Sequence, residues 1–243
     1  MPESLSLVVP VYNSADTLET LHAALTETAA ALAPLQYEII YVDDGSRDAS
    51  FSVIEHIAGG DPHAAGLQLR KNSGQQHALL CGIRHASGTF IVTIDDDLQY
   101  PPRYIPELLA TLRQGYDVVY GIPRQRSTSG LRNLGTFLTR VLLQLVCMKP
   151  QGIEVSSFRI MTRELAAKVA ADGRAHVYIS ASTFLHTDRA ANVPIDTLPP
   201  GDSRFTLSQL SRTFFHIFFH YAPLFKRIRE TGNQYIIERK IQL

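Results

Sequence analysis

Apolar residues follow two rhythms along this 243-residue chain. Nearly unbroken runs of five to seven residues predict buried strands, and apolar positions at three- and four-residue spacing predict helices. Leu5 to Val11 (L-S-L-V-V-P-V) predicts a first strand, broken by Tyr12-Asn13-Ser14. Asp16 can cap a helix running to about Ala33, with Leu18, Leu21, Leu25 and Leu32 as its stripe and Pro34 as its stop. Tyr37 to Val42 predicts a second strand that ends in Asp43-Asp44-Gly45-Ser46. Asp48 can cap the next helix, to about Ala58, before a Gly59-Gly60-Asp61-Pro62 loop. Ala65 to Leu69 is a third strand. Asn72-Ser73-Gly74 opens a helix through Ala86, and Phe90 to Ile94 is a fourth strand.

Beyond it, Tyr104 to Gln114 predicts a helix and Asp117 to Gly121 a fifth strand, running into Ile122-Pro123-Arg124-Gln125-Arg126. A Ser/Thr/Gly loop with Arg132 follows, of the kind that closes over ligands. Leu131 to Met148 predicts a helix with Leu134, Phe137, Leu138 and Val141 on its apolar face; Ser156 to Met161 predicts a short strand, and Arg163 to Ala171 another helix. Four strand-then-helix alternations imply an α/β fold with a mostly parallel, right-handed, doubly wound sheet. Ligands of such sheets sit outside the carboxyl ends of the strands. Polar clusters fall at those ends: Tyr12-Asn13, Asp43-Asp44, Arg70-Lys71-Asn72 and Asp95 to Asp97.

The expected division is a main domain over residues 1–200 and a C-terminal amphipathic helix and tail over 201–243. Leu207, Leu210, Phe214, Ile217, Phe218 and Tyr221 make Thr206 to Tyr221 a helix, and Phe215 and Phe219 widen its apolar face. Arg204, Arg212, Lys226, Arg227 and Arg229 flank or punctuate it. Such a helix suits either the headgroup zone of an anionic membrane or a subunit interface. Gln234 to Ile241 reads as a terminal strand able to pair with another subunit.

Composition is that of an ordinary globular chain, 45% hydrophobic and 19% charged. Two cysteines, Cys81 and Cys147, form neither a disulfide framework nor a metal-ligand spacing, which fits a reducing cytosol. The N-terminus lacks the marks of a signal peptide, and no apolar run approaches the length of a membrane span. Net charge is zero, yet residues 1–120 hold 6 Lys+Arg against 15 Asp+Glu, and residues 121–243 hold 17 against 8. An acidic half able to hold a metal precedes a basic half able to hold phosphates or an anionic surface.

The densest chemistry lies in F-I-V-T-I-D-D-D-L-Q-Y-P-P at Phe90 to Pro102. Side chains alternate along extended backbone, so Asp95, Asp97 and Gln99 are expected to point one way and Asp96 the other. Oxygen ligands at a strand's tip suit a hard divalent cation, Mg²⁺ or Mn²⁺, whose charge would offset the repulsion of three adjacent carboxylates. G-x-G-x-x-G is missing after the first strand, and G-x-x-x-x-G-K-[ST] is missing throughout. A phosphate-bearing ligand would therefore rely on metal and basic side chains instead of a glycine cradle.

At these residues the chain resembles glycosyltransferase family 2, and within it the polyprenyl-phosphate (dolichol-phosphate mannose synthase-like) enzymes. The matching pieces are V-V-P-V-Y-N at Val8 to Asn13, V-D-D-G-S-R-D at Val42 to Asp48, N-S-G-Q-Q-H-A-L-L-C-G at Asn72 to Gly82 and I-D-D-D-L-Q-Y-P-P at Ile94 to Pro102. D-V-V-Y-G-I-P-R-Q-R at Asp117 to Arg126, S-S-F-R-I-M-T-R at Ser156 to Arg163 and a weaker G-D-S-R-F-T-L at Gly201 to Leu207 follow in order. Departures are Ser14 after Y-N, Glu154 where Asp is usual, and Ser157 in place of a glycine.

The resemblance implies a GT-A fold, a nucleotide-sugar donor, a divalent metal and inversion at the sugar's anomeric carbon. By position, Pro10, Tyr12, Asn13 and Asp44 line the nucleotide site with Asp43 supporting that loop; Asp95 and Asp96 face ribose and metal; Asp95, Asp97 and Gln99 hold the metal. Arg124, Arg126, Arg132, Arg159, Ser203 and Arg204 are the implied acceptor and phosphate contacts, with Asp97 and Arg124 central to catalysis. Arginine forks pair bidentately with phosphate at any working pH. A lipid monophosphate is already an anionic nucleophile, so it needs positioning rather than a strong base. Glu154 and Asp188 are the candidate bases for a hydroxyl acceptor.

The function expected is a metal-dependent, inverting transferase moving a sugar, from a UDP-linked donor first of all, to a polyprenyl phosphate, in the cytoplasm and peripherally at the inner face of the membrane. The alternatives are the same donor with a sugar or other hydroxyl acceptor in glycan assembly, and a non-catalytic nucleotide-sugar binding subunit. A homo-oligomer is compatible with the terminal strand, and no nucleic-acid partner is expected.

Overall fold

A computed structural model describes residues 3–124, 149–175, 177–198 and 235–243. The strands among them form one eight-stranded sheet in the order β7-β5-β6-β4-β1-β2-β3-β8. They are β1 Ser4–Val11, β2 Gln36–Asp43, β3 Ala64–Leu69, β4 Phe90–Thr93, β5 Val118–Pro123, β6 Arg159–Thr162, β7 Ala190–Ile195 and β8 Ile237–Ile241. The helices are α1 Ala15–Ala30, α2 Ser50–Gly60, α3 Gln75–His85, α4 Ile105–Leu112, α5 Arg163–Ala170 and α6 Ile179–Phe184. Strands β4, β1, β2 and β3 run parallel, as do β5 and β7; β6 lies antiparallel between β4 and β5.

The expected doubly wound core thus forms, and the alternation along β1 shows how. Val8 faces one apolar layer with Leu79 and Leu80 of α3, Leu165 of α5 and Ile179 of α6. Leu7 and Val9 face the other, with Leu18, Leu21 and Leu25 of α1, Ile54 of α2 and Leu108 of α4. Each such leucine contributes about 1.5–3 kcal/mol through its removal from water. Burial on both faces is why these strands read as unbroken apolar runs.

Several details differ from expectation. Helix α1 stops at Ala30, and Asp16 sits inside its first turn instead of capping it. The backbone N–H of Ala15 donates to Asp48 Oδ2 at 3.2 Å, so a carboxylate from the next loop covers that helix end. Helix α2 continues through Gly60 where a loop is expected. Helix α6 and strand β7 are not anticipated in the sequence. I-S-A-S-T-F is too short for a helical period, and A-A-N-V-P-I interrupts its apolar run with Asn and Pro.

Strand β8 pairs antiparallel with β3 of its own chain, Gly66 opposite Ile241 and Gln68 opposite Arg239. Arg239 also reaches Glu55 of α2 and stacks its guanidinium over the Phe51 ring. The predicted helices over Leu131 to Met148 and Thr206 to Tyr221 lie outside the described residues. No described helix is long and apolar enough to cross a membrane.

Candidate active site

The carboxyl ends of β1, β2 and β4 meet through a hydrogen-bonded set of loops. Pro10 is buried in β1 opposite Val42, beyond Val8, the last residue that pairs with β4. Its missing N–H therefore leaves no gap in that ladder. Tyr12 is 42% exposed, a large ring open to solvent at the strand's tip. Asn13 takes a left-handed conformation (φ 53°), which its side chain supports by accepting from the Arg47 N–H at 2.8 Å. Its own N–H donates to Ser46 Oγ at 3.0 Å.

Asp43 ends β2, Asp44 follows it, and both are buried. Asp43 accepts from the Ser46 N–H at 3.2 Å and from Gln68 Nε2 at 3.3 Å. Asp44 accepts two backbone N–H groups at the head of α3, Ser73 at 2.7 Å and Gly74 at 2.8 Å. Burial pushes its pKa up, while those two donors and the nearby His77 pull it down. Gly45 follows with φ +69°, and a Cβ there would meet Asn72 N and the Lys71 carbonyl carbon at 2.7 Å. Glycine is needed because the β2 and β3 loops touch backbone to backbone at this point.

Asp95, Asp96 and Asp97 follow β4, which ends at Thr93. Asp95 is half-buried, accepting from Gln75 Nε2 at 2.6 Å on one oxygen and from Ser157 Oγ on the other. Asp96 points the other way, into the β1 loop: its Oδ2 accepts from Ser14 Oγ at 2.5 Å and the Tyr12 N–H at 3.1 Å. Thr17 Oγ1 adds a bond to its carbonyl at 2.8 Å. The alternation does not continue to Asp97. Leu98 adopts φ 60°, and Asp97 Oδ1 accepts the Gln99 N–H at 3.0 Å in a tight turn. Asp97 is the exposed carboxylate of the three, and its Oδ2 accepts no hydrogen bond among the described residues. The carbonyl of Gln99 is held by the Leu198 N–H at 3.0 Å.

Burial pushes Asp95 up to about 6, with Ser157 and Arg159 opposing and the Asp97 and Asp96 charges adding to the rise. Asp96 is also raised, by burial first, against the bonds from Ser14 and Tyr12. This oxygen-rich cluster, acidic and self-repelling, suits a hard divalent cation. No group of three or more His, Cys, Asp or Glu among the described residues could hold one unaided, so the coordination would need ligands beyond those side chains.

The basic side is distributed differently from the expectation. Arg124 lies at the carboxyl end of β5, its guanidinium 3.5 Å from Asp196 at the end of β7, both well exposed. Tyr104 also donates to Asp196, at 2.9 Å. Arg159 is buried (2% exposed), bonded to Ser180 Oγ at 3.0 Å and lying over the Tyr120 ring. Its position opposite Thr93 puts that charge beneath Asp95 instead of on the surface. Arg126, Arg132, Ser203 and Arg204 lie outside the described residues.

Of the two candidate bases, Glu154 has its backbone fixed by a pair of hydrogen bonds: its N–H donates to Asn192 Oδ1 and its carbonyl accepts from Asn192 Nδ2, both at 2.8 Å. Asp188 precedes β7, where the neighbouring Arg189 carbonyl binds the Asp117 N–H at 2.8 Å, at the end of the sheet opposite the carboxylates. Sequence reading missed Gln75, Ser157, Asn192 and Asp196. Gln75 had a signal in the N-S-G-Q-Q-H stretch and Ser157 in the S-S-F-R piece, where it stands in place of a glycine; Asn192 and Asp196 had none.

The doubly wound sheet, with carboxylates and an exposed tyrosine at its strand tips, is of the GT-A class, a fold it shares with solved glycosyltransferases. Residues 6–170 match the family described as Glycosyl transferase family 2, and the chain belongs to that family. A protein of Erwinia tasmaniensis named undecaprenyl-phosphate 4-deoxy-4-formamido-L-arabinose transferase is 33% identical over 213 residues, 86% of this chain and 65% of its own length. The protein of the same name in Shewanella sediminis is 38% identical over 162 residues, 65% of this chain and 47% of its own. The chain therefore spans about half to two-thirds of the length of these relatives. Among solved structures, Mycobacterium tuberculosis glucosyl-3-phosphoglycerate synthase in complex with Mn²⁺, UDP and phosphoglyceric acid shares the fold, with a TM-score of 0.67 at 22% identity, covering 89% of this chain and 78% of that one.

Proposed function

We propose that this chain transfers a sugar from a UDP-linked donor to a polyprenyl phosphate, with inversion at the anomeric carbon. The observation that carries the reading is the meeting of the Tyr12, Asp44 and Asp95–Asp97 loops at one end of the sheet, where doubly wound folds bind ligands. Tyr12 offers a face to the base, and the loop holding Asn13, Asp43 and Asp44 shapes its pocket. The acceptor class follows from the relatives, which are named for undecaprenyl phosphate.

Asp97, with Gln99 and the remaining lone pairs of Asp95, would hold Mg²⁺ or Mn²⁺ on the donor diphosphate. Bound there, such an ion neutralises charge on the departing nucleoside diphosphate. Asp96 fixes the Tyr12 loop. Arg124, exposed at the β5 tip, pairs with phosphate once it exchanges Asp196 for that anion. Arg126, Arg132, Ser203 and Arg204 would complete the acceptor side, and residues 201–234, ahead of β8, would meet the membrane face. The buried Arg159 supports the carboxylate cluster electrostatically.

The test is product partition with a radiolabelled UDP-sugar and a short-chain polyprenyl phosphate. Label that moves into organic solvent is expected; label confined to water-soluble glycan rejects the lipid acceptor. The second reading keeps the donor and makes Glu154, whose backbone Asn192 holds beside β7, the base for a hydroxyl acceptor. Loss of transfer to a hydroxyl acceptor in Glu154→Gln, with lipid transfer absent, would establish it.

A further inference from the structure

The N-S-G-Q-Q-H stretch at the head of α3 has no part in the donor contacts above, yet it is tied to four separate parts of the fold. Ser73 and Gly74 give their N–H groups to Asp44, just beyond β2. Gln75 reaches Asp95, and Gln76 Oε1 accepts the Ile179 N–H at 2.9 Å, at the start of α6. His77 places one ring nitrogen 2.9 Å from the Ala175 carbonyl. Gln75 is the member of this set that touches the acidic cluster.

On the opposite side of Asp95, Ser157 completes a second hold. Its hydroxyl donates to Asp95 Oδ2, and its own carbonyl accepts from Thr93 Oγ1 at 2.5 Å. Thr93 is the last residue of β4 and is fully buried, so Ser157 is anchored to the strand that carries Asp95. Each oxygen of Asp95 thus receives one neutral donor, from two different directions. A carboxylate held at both oxygens cannot swing about its side-chain bonds, so its remaining lone pairs keep a fixed direction.

We propose that Gln75 and Ser157 are positioning residues for the nucleotide site: together they fix the Asp95 carboxylate so that its free lone pairs face a metal-bound nucleoside diphosphate. The inference rests on the donor-site reading above. Neither residue contacts the ligand; both act through Asp95. Neutral donors suit this role, because a lysine or arginine in either place would cancel the negative charge that attracts the cation.

Calorimetric titration of the full chain with UDP in the presence of Mn²⁺ tests it, on wild type, Gln75→Met, Ser157→Ala and each of these in an Asp95→Asn background. Gln75→Met keeps the side-chain length and removes the donor; Ser157→Ala removes only a hydroxyl. Each is expected to weaken UDP binding about tenfold, as loss of a hydrogen bond to a charged group does. With Asp95→Asn already present, the same changes are expected to have little further effect, whereas a merely structural role would give the same loss in both backgrounds. Unaltered UDP affinity in both single variants, or equal losses with and without Asp95, overturns the positioning roles while wild-type binding leaves the donor site standing. A wild type that binds no UDP with Mn²⁺ overturns the donor site and the positioning roles together.

Discussion

Ser14 Oγ lies 2.5 Å from Asp96 Oδ2, a hydroxyl from the β1 loop closed onto the carboxylate that follows β4. The same oxygen accepts the Tyr12 N–H, so one side chain sets the path of the loop that presents the exposed ring. Ser14→Ala should cost about 1.5–3 kcal/mol in urea unfolding, the worth of a hydrogen bond to a charged group. It should also weaken UDP binding by freeing Tyr12. A variant with wild-type stability and affinity would show that the loop is held by other means.

Asp97 is exposed, and one of its oxygens binds only the turn it begins. Asp97→Ala should therefore leave the melting temperature without ligand nearly unchanged and reduce transfer by on the order of 10²-fold or more, as removal of electrostatic stabilisation does. Transfer assays beside thermal melts separate the two effects. Undiminished transfer would remove Asp97 from the metal site.

Asp44 is its opposite in kind. Buried and accepting two backbone N–H groups, it holds the head of α3 against β2. Asp44→Ala strands both donors and should destabilise the fold by roughly 2–4 kcal/mol. Chemical denaturation would measure this, with Asp97→Ala as the comparison that barely moves.

The raised pKa of Asp95 sets the sign of a pH dependence. Its ordinary value of 3.8 moves up to about 6, by burial first. The folded chain therefore binds the proton more tightly than the unfolded chain does. The contribution of Asp95 is fully present below about pH 4 and is lost as pH rises through about 6. Stability without ligand should fall across that window, by up to about 3 kcal/mol from this group. Asp95→Asn should flatten the fall in denaturation curves taken from pH 4 to 7.

Much of this fold is legible in the sequence because the central strands are buried on both faces. Leu5 to Val11 and Tyr37 to Val42 can hardly be anything but strands, and their tips stand out because charge begins where the apolar run stops. The rest is lost for physical reasons. Strand β7 carries Asn192, which clamps Glu154, and Pro194 near its end, so it lacks the pattern of its neighbours. The β8 residues look like a strand, but nothing local says that its partner is β3 of the same chain. At the site, the acidic residues announce themselves, while Gln75 and Ser157 stand in recognisable stretches whose sequence does not reveal that they hold Asp95. A neutral donor that holds a carboxylate is made by the tertiary fold, across 20 and 62 residues of sequence respectively. Arg159 misleads in the other direction, since its charge suggests a surface contact and the sheet buries it.

Crystals of the full chain grown with Mn²⁺ and UDP test most directly whether the carboxylates beyond β4 receive a cation and a nucleoside diphosphate together. Anomalous density for manganese beside the free oxygen of Asp97, with the diphosphate on the ion and the uracil against Tyr12, is the predicted result. Nucleotide bound elsewhere, or no ion within coordinating distance of Asp97, would contradict it.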